Sequence, residues 1–303
     1  MPTAADDVAA ELGLSGARPT AMQGTDPAHP GNGNWLLRTG DGQPVVLRRY
    51  HVLRTEQDLA FEARVLAHLT AHGWNVPTTV AGPIRYDGRW WAATRFVPGC
   101  PHRDETPPQQ VERGGLLARL HADLRGLDPG QRPGFFQGCD LPAMGDFQDW
   151  DLGVRALREV RPDLADWADA AMANGQRLVA QYGLLELPQT VVHGDFAEWN
   201  LHFGEDGALD GVIDFDLTHR DSRSWELVIA RVHRSPGLLM GYQEAAADLG
   251  MPLTADELVA IEPLQQVFRV NMVMAELWNG RHAGTFNLST VERQLSRTGV
   301  PRA

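Results

Sequence analysis

The segment "VVHGDFAEWNLHF", residues Val191–Phe203, is followed at Leu209–Asp216 by "LDGVIDFD". Each segment contains a short apolar run typical of a β-strand, and polar side chains follow each run. Asp195 and Asn200 come from the first segment, and Asp214 comes from the second, fourteen residues after Asn200. We expect a β-hairpin between the two segments to bring Asp214 back toward Asn200.

Asp195 and Asn200 stand in the spacing D-x-x-x-x-N, and His193 lies two residues before the aspartate. In kinase catalytic loops with this spacing, the aspartate accepts the proton of the attacking hydroxyl and the asparagine binds a metal ion. Carboxylate and amide oxygens are ligands that suit Mg²⁺. An aspartate after a strand is, by itself, more readily explained as a turn former. The order and separation of the three polar residues together indicate a site for a metal ion and a nucleotide.

Both motifs resemble those of the aminoglycoside phosphotransferase and choline kinase family, whose members share the two-lobed protein-kinase-like fold. "HGDFAEWN" is similar to the family's H-G-D-x-x-x-x-N loop, and "VIDFD" is similar to its strand that ends in I-D. The resemblance implies an ATP-dependent O-phosphotransferase that acts on a hydroxyl group of a small molecule. It further implies that Asp195 is the catalytic base, that Asn200 and Asp214 hold Mg²⁺, and that His193 supports the loop by a bond to the backbone.

The resemblance covers most of the chain, from about Gly24 to Ala230. "RFVPG" resembles the segment between the two lobes, which implies that the backbone of Arg95, Phe96 and Val97 meets the adenine edge of ATP, with GTP as an alternative donor. "GLLARLHADL" resembles the helix before the catalytic loop. "DSRSWELVIA" fits the helix after the metal-binding strand only loosely, because Glu226 stands where an aspartate is usual.

The first third of the chain has the pattern of strands and one helix. Apolar runs at Asn34–Thr39 and Pro44–Tyr50 flank "GDGQ", a hairpin signal. Thr55 and Asp58 then stand in the spacing of a helix capping box. We predict an α+β, two-lobed protein-kinase-like fold, with a β-rich nucleotide-binding lobe at 1–97 and a mostly helical catalytic lobe at 98–303. The main helices of the second lobe are predicted at Pro108–Leu124, around Gln148–Tyr182 and at Ala255–Trp278.

Kinase-like enzymes pair a basic residue on a strand of the small lobe with a glutamate on the following helix. Glu62 shares the apolar stripe of Leu59 and Leu66, so a nearby cation is expected. We predict that Arg48 is this cation and that Arg49 points to the opposite face. Arginine replaces the family's usual lysine here and is not equivalent to it. The alternative is that both arginines are exposed strand charges. The glycines of "GTDPAHPGNGNW", residues 24–35, are typical of a flexible flap over the phosphates.

Composition limits the remaining possibilities. The formal charge of −12 and the sequence pI of about 5.3 argue against a nucleic-acid partner. No apolar run is long enough to predict a transmembrane helix, no secretory signal is evident, and two cysteines without metal spacing favour a reducing cytoplasm. We expect a monomer or a weak homodimer without a membrane partner.

The negative charge suits a small cationic acceptor, such as an aminoglycoside or another sugar-containing antibiotic, which would make the protein an antibiotic-resistance enzyme. Choline-like alcohols and sugars of primary metabolism remain alternatives. Five residues could line the acceptor pocket, although an acid of this kind is more often a solvated surface charge and Trp199 is more often a core residue. They are Glu198, Trp199, Asp216, Asp221 and Glu276.

Three other classes of function remain open. A kinase-like protein that binds nucleotide without turnover is suggested by the departure at Arg48. A metal-dependent hydrolase would use His193 and His202 with the two aspartates, although no compact metal motif is present. A protein kinase is disfavoured because the segment after Asp214 is too short for a long activation loop.

Overall fold

The structure is a computed structural model that describes residues 3–14, 18–26, 31–102 and 104–302. Within these ranges the helices are α1 (Ala4–Glu11), α2 (Glu56–Ala71), α3 (Pro107–Leu124), α4 (Leu141–Phe147), α5 (Trp150–Val160), α6 (Pro162–Tyr182), α7 (Arg223–Ile229), α8 (Pro236–Asp248), α9 (Ala255–Ala283) and α10 (Leu288–Leu295). The strands are β1 (Thr20–Ala21), β2 (Gly33–Arg38), β3 (Pro44–Arg49), β4 (Thr79–Tyr86), β5 (Arg89–Arg95), β6 (Gln189–Val192), β7 (Leu201–Phe203), β8 (Leu209–Val212) and β9 (His219–Ser222). The predicted α+β class is confirmed.

The chain forms two compact units, and each is assembled from three chain segments. Unit 1 comprises residues 1–104, 127–133 and 198–217, and unit 2 comprises residues 105–126, 134–197 and 218–303. Unit 1 therefore combines the strand-rich first third with the hairpin that follows the catalytic-loop motif. The lobes predicted at 1–97 and 98–303 stay a prediction about how the chain divides for catalysis.

Unit 1 is built on an antiparallel sheet in the strand order β1-β2-β3-β5-β4. Successive side chains of a strand point to opposite faces, so Leu47 and Arg48 of β3 lie on different sides. On the Leu47 side, α1 packs against Trp35 and its neighbours. On the other side, Ala92 of β5 lies opposite Arg48 in the register and packs against Leu59 of α2. Arg48 thus points toward the face that α2 covers.

The start and the buried face of α2 follow from its sequence. Thr55 Oγ1 accepts a hydrogen bond from the Asp58 N–H at 3.2 Å, and the Asp58 carboxylate accepts one from the Thr55 N–H at 2.7 Å. The predicted capping box is confirmed. Leu59, Glu62 and Leu66 are all buried on one face, so the helix carries a carboxylate into its apolar stripe.

The helices of unit 2 differ from prediction in their boundaries. The stretch predicted around Gln148–Tyr182 forms two helices, α5 and α6, because Pro162 lacks an N–H and restricts Arg161 before it. The last long helix, α9, continues to Ala283, beyond the predicted end at Trp278. None of the helices in the described ranges combines the length and apolar character needed to cross a membrane.

Two short antiparallel pairs complete the fold. In unit 1, β7 pairs with β8 and places Leu201 opposite Val212, which confirms the predicted hairpin. In unit 2, β6 pairs with β9. The predicted flap at residues 24–35 includes residues 27–30, which lie outside the described residues.

Candidate active site

One end of the β7–β8 hairpin carries Asn200 and Asp214. The Ile213 N–H donates to the Asn200 carbonyl at 2.9 Å, which continues the pairing of Leu201 with Val212. Asp214 follows directly and has φ = 64°, a left-handed conformation that few non-glycine residues adopt. Its side chain is 48% exposed, whereas Asn200 is buried. The hairpin therefore presents one amide and one accessible carboxylate at the same end.

These two side chains offer oxygen donors, the type of ligand that Mg²⁺ prefers. Mg²⁺ usually keeps several waters and phosphate oxygens in its coordination shell, so two protein ligands are sufficient. Among the residues that the structure describes, no group of three or more His, Cys, Asp and Glu side chains is arranged to hold a metal ion. By the type of their donors, Asn200 and Asp214 fit a cation that also binds phosphate oxygens.

Arg48 of β3 is the counter-ion of the Asp214 carboxylate. Its Nη2 atom lies 3.0 Å from Asp214 Oδ1 and 3.5 Å from Asp216 Oδ1. Arg48 is 8% exposed, and its guanidinium carbon lies 5.2 Å from the centroid of the Tyr50 ring. Burial lowers the pKa of Arg48, but the attraction of nearby carboxylates, Asp214 first, outweighs it and raises the pKa above its ordinary value. Arg48 is therefore buried and charged, and is not an exposed strand residue.

Asp216 binds several cations at once. Its carboxylate accepts hydrogen bonds from Arg54 Nε at 3.2 Å, Arg54 Nη2 at 2.8 Å and Asn32 Nδ2 at 3.0 Å. Its carbonyl accepts a further bond from Arg132 Nη2 at 2.7 Å. Burial raises the pKa of Asp216, but the guanidinium groups of Arg48 and Arg54 hold it well below its usual range. The predicted contact of Asp216 with the acceptor stays a prediction, and the sequence did not indicate these partners.

Glu62 of α2 belongs to the same group of charged residues as Arg48 and Asp216, but it forms no direct ion pair with Arg48. Its Oε2 atom is buried and has no hydrogen-bond partner among the described residues. Burial raises the pKa of Glu62, and the more distant charge of Arg48 opposes this effect. The expected contact between Arg48 and Glu62 is thus replaced by contacts of Arg48 with Asp214 and Asp216, the nearer carboxylates. A cavity of about 220 Å³ beside α2 is lined by Glu62, Glu56, Tyr50, Thr79 and apolar side chains.

The segment predicted to meet the nucleotide base follows β5. Arg95 ends the strand, and its N–H donates to the Thr78 carbonyl at 2.9 Å. Phe96 is half-buried and Val97 is buried. The Val97 carbonyl lies 3.3 Å from Nδ1 of His202, which belongs to the β7–β8 hairpin. The contact of this backbone with adenine stays a prediction.

The loop that carries Asp195 belongs to unit 2, and hydrogen bonds to buried side chains hold its backbone. His193 is buried, and its Nδ1 accepts a hydrogen bond from the Asp195 N–H at 3.2 Å. Gly194 adopts φ = 87°, which requires glycine, and the Glu226 carboxylate accepts bonds from the N–H groups of Gly194 at 3.0 Å and Phe196 at 3.3 Å. Burial raises the pKa of Glu226 to about 7, although these N–H groups oppose the shift. Asp195 itself is half-buried.

Arg113 of α3 binds the same loop through a backbone carbonyl group. The sequence did not predict this contact. It is 1% exposed and forms two bonds to Glu105, at 2.7 and 2.8 Å. Its Nη1 donates to the carbonyls of Phe196 at 3.2 Å and Ala230 at 2.8 Å, and its Nη2 donates to Ser235 Oγ at 2.9 Å. A signal was present, because Arg113 continues the buried helical stripe of Leu117, Leu120 and Leu124.

The other residues predicted to contact the acceptor differ in exposure. In unit 1, Glu198 is half-buried and Trp199 is 40% exposed. In unit 2, Asp221 is fully buried and accepts a bond from the Gly138 N–H at 2.6 Å and another from the N–H of the next residue, also at 2.6 Å. Glu276 of α9 is half-buried. Their contacts with an acceptor stay predictions.

His121 of α3 has the surroundings of a core histidine. It is 1% exposed, and its Nδ1 lies 2.8 Å from the Tyr242 hydroxyl. Burial lowers the pKa of His121 to about 3, so the ring is neutral and takes no charge near neutral pH.

Comparison with known proteins agrees with these features. The profile of the phosphotransferase enzyme family matches residues 27–257. A homoserine kinase of Xanthobacter autotrophicus is 27% identical over 263 residues, which are 81% of this chain and 77% of that protein. An amicoumacin kinase in complex with AMP-PNP and Ca²⁺ superposes with a TM-score of 0.68 at 13% identity, over 96% of this chain and 92% of that one. A microcompartment-associated aminopropanol kinase gives the same TM-score and coverage at 17% identity. The predicted two-lobed protein-kinase-like fold is confirmed.

Proposed function

Because this chain belongs to the phosphotransferase enzyme family and is a small-molecule kinase, we propose that it transfers the γ-phosphoryl group of ATP to a hydroxyl of an amino alcohol. The observation that carries the proposal is the end of the β7–β8 hairpin. There Asn200 and the half-exposed Asp214 stand together, and Asp214 keeps a left-handed backbone conformation. Strained residues of this kind cluster at functional sites.

In the proposed reaction, Asp195 accepts the proton of the acceptor hydroxyl as that oxygen attacks phosphorus. A half-buried carboxylate next to a loop held by Glu226 and Arg113 suits this role, because a fixed base loses little entropy in reaching its proton. Asn200 and Asp214 would hold Mg²⁺, which neutralises charge on the phosphates when it is bound.

The remaining nucleotide contacts are proposed for unit 1. Arg48 would bind phosphate oxygens, since a guanidinium is a bidentate donor for phosphate. The backbone of residues 95–97 would bind the base, and ATP is proposed over GTP. Glu62 would attract Arg48 from α2 and so limit its movement toward the nucleotide.

The acceptor proposal combines the relatives with charge. A homoserine kinase matches this chain over 263 residues, and an aminopropanol kinase shares its fold. Both names denote an acceptor with a hydroxyl and an amino group. The formal charge of −12 favours a cationic acceptor over a neutral sugar. Homoserine is the first candidate on the strength of the relatives alone, because it is a zwitterion and the charge argument favours cations such as aminopropanol. Antibiotics, among which the sequence alone favoured amino-sugar compounds, are the second candidate, because an amicoumacin kinase also shares the fold.

The test is Mg²⁺-dependent ADP release with homoserine, aminopropanol, choline, a panel of aminoglycosides and amicoumacin. We expect turnover with homoserine or another amino alcohol, and a loss of about 10³-fold in kcat for Asp195→Asn, as for removal of a general base. Asp206→Asn is the matched control, because Asp206 is an exposed aspartate in the hairpin turn. Nucleotide binding without turnover on any acceptor would favour the binding-protein alternative, and normal turnover of Asp195→Asn would refute the assignment of the base.

A further inference from the structure

The charged cluster of unit 1 consists of Arg48, Arg54, Asp214 and Asp216. Within it, Asp216 is the carboxylate that is buried and contacts two arginines. It is 6% exposed, whereas Asp214 presents a side chain that is 48% exposed. Arg48 Nη2 lies between the two carboxylates, 3.0 Å from Asp214 and 3.5 Å from Asp216. The two acids therefore compete for one cation, and only one of them is accessible to a ligand.

Asp216 has several contacts that do not involve Arg48. Arg54 binds the Asp216 carboxylate through two nitrogen atoms, and Asn32 binds it through its amide. Arg132 holds the Asp216 backbone carbonyl. These contacts fix the carboxylate as a preorganised partner that remains in place when Arg48 changes its other contacts.

An arginine at position 48 needs such a partner more than a lysine would. A guanidinium is planar, so its orientation decides which donors reach a phosphate, whereas an ammonium is a point charge. The Nε atom of Arg48 is buried without a hydrogen-bond partner among the described residues, so the two carboxylates and the Tyr50 ring, 5.2 Å away, are the side chains seen to orient the group. If Asp214 turns to a metal ion, Asp216 is the carboxylate that remains.

We propose that Asp216 is a positioning residue for Arg48, which it keeps directed at the nucleotide phosphates while Asp214 binds the metal ion. This inference rests on the proposed function. It gives Asp216 a part in nucleotide binding instead of acceptor binding. It also explains how the chain accommodates arginine on β3, through a second carboxylate two residues after the metal-binding aspartate.

The test is a double-mutant cycle with Asp216→Asn and Arg48→Met, read out as the Kd of AMP-PNP with Mg²⁺ by calorimetry. If Asp216 acts through Arg48, D216N weakens binding about tenfold in the wild-type background, as expected for loss of a charged hydrogen bond. In the R48M background the same change weakens binding by no more than about twofold, because the residue it positions is gone. Equal losses in both backgrounds, or wild-type affinity of D216N, would overturn the proposal.

Asp206→Asn is the control for the loss of one negative charge from the same unit. Asp206 is exposed in the hairpin turn, where its carboxylate accepts a bond from the Ala208 N–H, so it takes no part in the bonds that hold Asp216. We expect D206N to leave nucleotide affinity unchanged in both backgrounds. If D216N does not fold, Asn32→Ala replaces it, since this change removes the amide that orients Asp216 and keeps both charges. A loss of affinity for N32A that is as large in the R48M background as in the wild type would then refute the proposal.

A second readout separates this inference from the proposed function. The same cycle is measured by urea unfolding without nucleotide, where a coupling between R48M and D216N reports the ion pair alone. If the wild type binds no nucleotide, the proposed function fails even when this coupling is present. If the wild type binds nucleotide and D216N binds equally well, the proposed function stands and the positioning role fails.

Discussion

The two units bury charge in different ways. In unit 1, the Asp216 carboxylate is shared by the side chains of Arg48 and Arg54, and Arg48 is shared in turn with Asp214. In unit 2, Glu226 accepts bonds from two N–H groups of the Asp195 loop, and Arg113 adds a bond to the Phe196 carbonyl to its side-chain bonds with Glu105 and Ser235. The first cluster joins the charged side chains to each other, and the second also fixes a stretch of main chain.

This difference matches two tasks in phosphoryl transfer. Ion pairs between side chains can exchange partners when a charged ligand arrives, because each group keeps another counter-ion. Bonds to backbone N–H and carbonyl groups cannot exchange without moving the loop, so they would preserve the geometry of Asp195, the proposed catalytic base. The contrast predicts that unit 2 tolerates the loss of a buried charge less well than unit 1.

The largest effect is expected for Arg113→Met. The change leaves Glu105 without its cation and removes the donor from the carbonyls of Phe196 and Ala230. Loss of one partner of a buried ion pair typically costs 3–5 kcal/mol, and we expect a decrease of about 4 kcal/mol in the free energy of unfolding, measured with urea. Arg158→Met is the control, because Arg158 pairs with two aspartates on the surface and its loss should have little effect. An equally small change for R113M would contradict the contrast.

The next largest effect is the pH dependence of stability that Glu226 causes. Because its pKa is raised from 4.5 to about 7 in the folded protein, the unfolded chain loses this proton first as the pH rises. The unfolded state then binds fewer protons, so this group makes stability fall between about pH 4.5 and 7, by at most on the order of 3 kcal/mol. Glu226→Gln should remove this part of the pH dependence, as measured by urea unfolding at several pH values.

Glu262→Gln serves as the control for this measurement. Glu262 is an exposed glutamate on α9 in the same unit, and its replacement should leave the shape of the pH profile unchanged. If E226Q retained the full wild-type fall in stability between pH 4.5 and 7, another group would be responsible for it.

The sequence predicted local features better than distant partners. The β7–β8 hairpin and the capping box of α2 depend on residues close along the chain, so spacing alone was sufficient. The bonds of Arg113 to Phe196, Ala230 and Ser235 span 83, 117 and 122 residues, and no local pattern defines such pairs. A buried stripe on α3 indicated that Arg113 needs partners but not which ones.

The same limit explains why the ion pairs of Arg48 in unit 1 were not predicted. Arg48 was expected to pair with Glu62, because kinase-like patterns suggest that pair and the alternation of β3 points Arg48 toward α2. Asp216, 168 residues away in the sequence, is held close to Arg48 by Arg54, which lies outside the motifs, and by Asn32, which lies in the segment predicted as a flap. Sequence motifs thus located the charged residues, and three-dimensional packing decided which of them form pairs.

The smallest effect is expected for Arg54→Met, which tests whether Asp216 has more counter-ions than its burial requires. Asp216 would keep its contacts with Arg48 and Asn32, so no buried carboxylate is left without a cation. We expect the free energy of unfolding to fall by about 1–2 kcal/mol, the cost of lost charged hydrogen bonds and not of an unpaired charge. A parallel measurement of R113M in urea gives the comparison. A loss for R54M as large as that for R113M would mean that the cluster around Asp216 has no spare counter-ion, and that its ion pairs are as fixed as the bonds that hold the Asp195 loop.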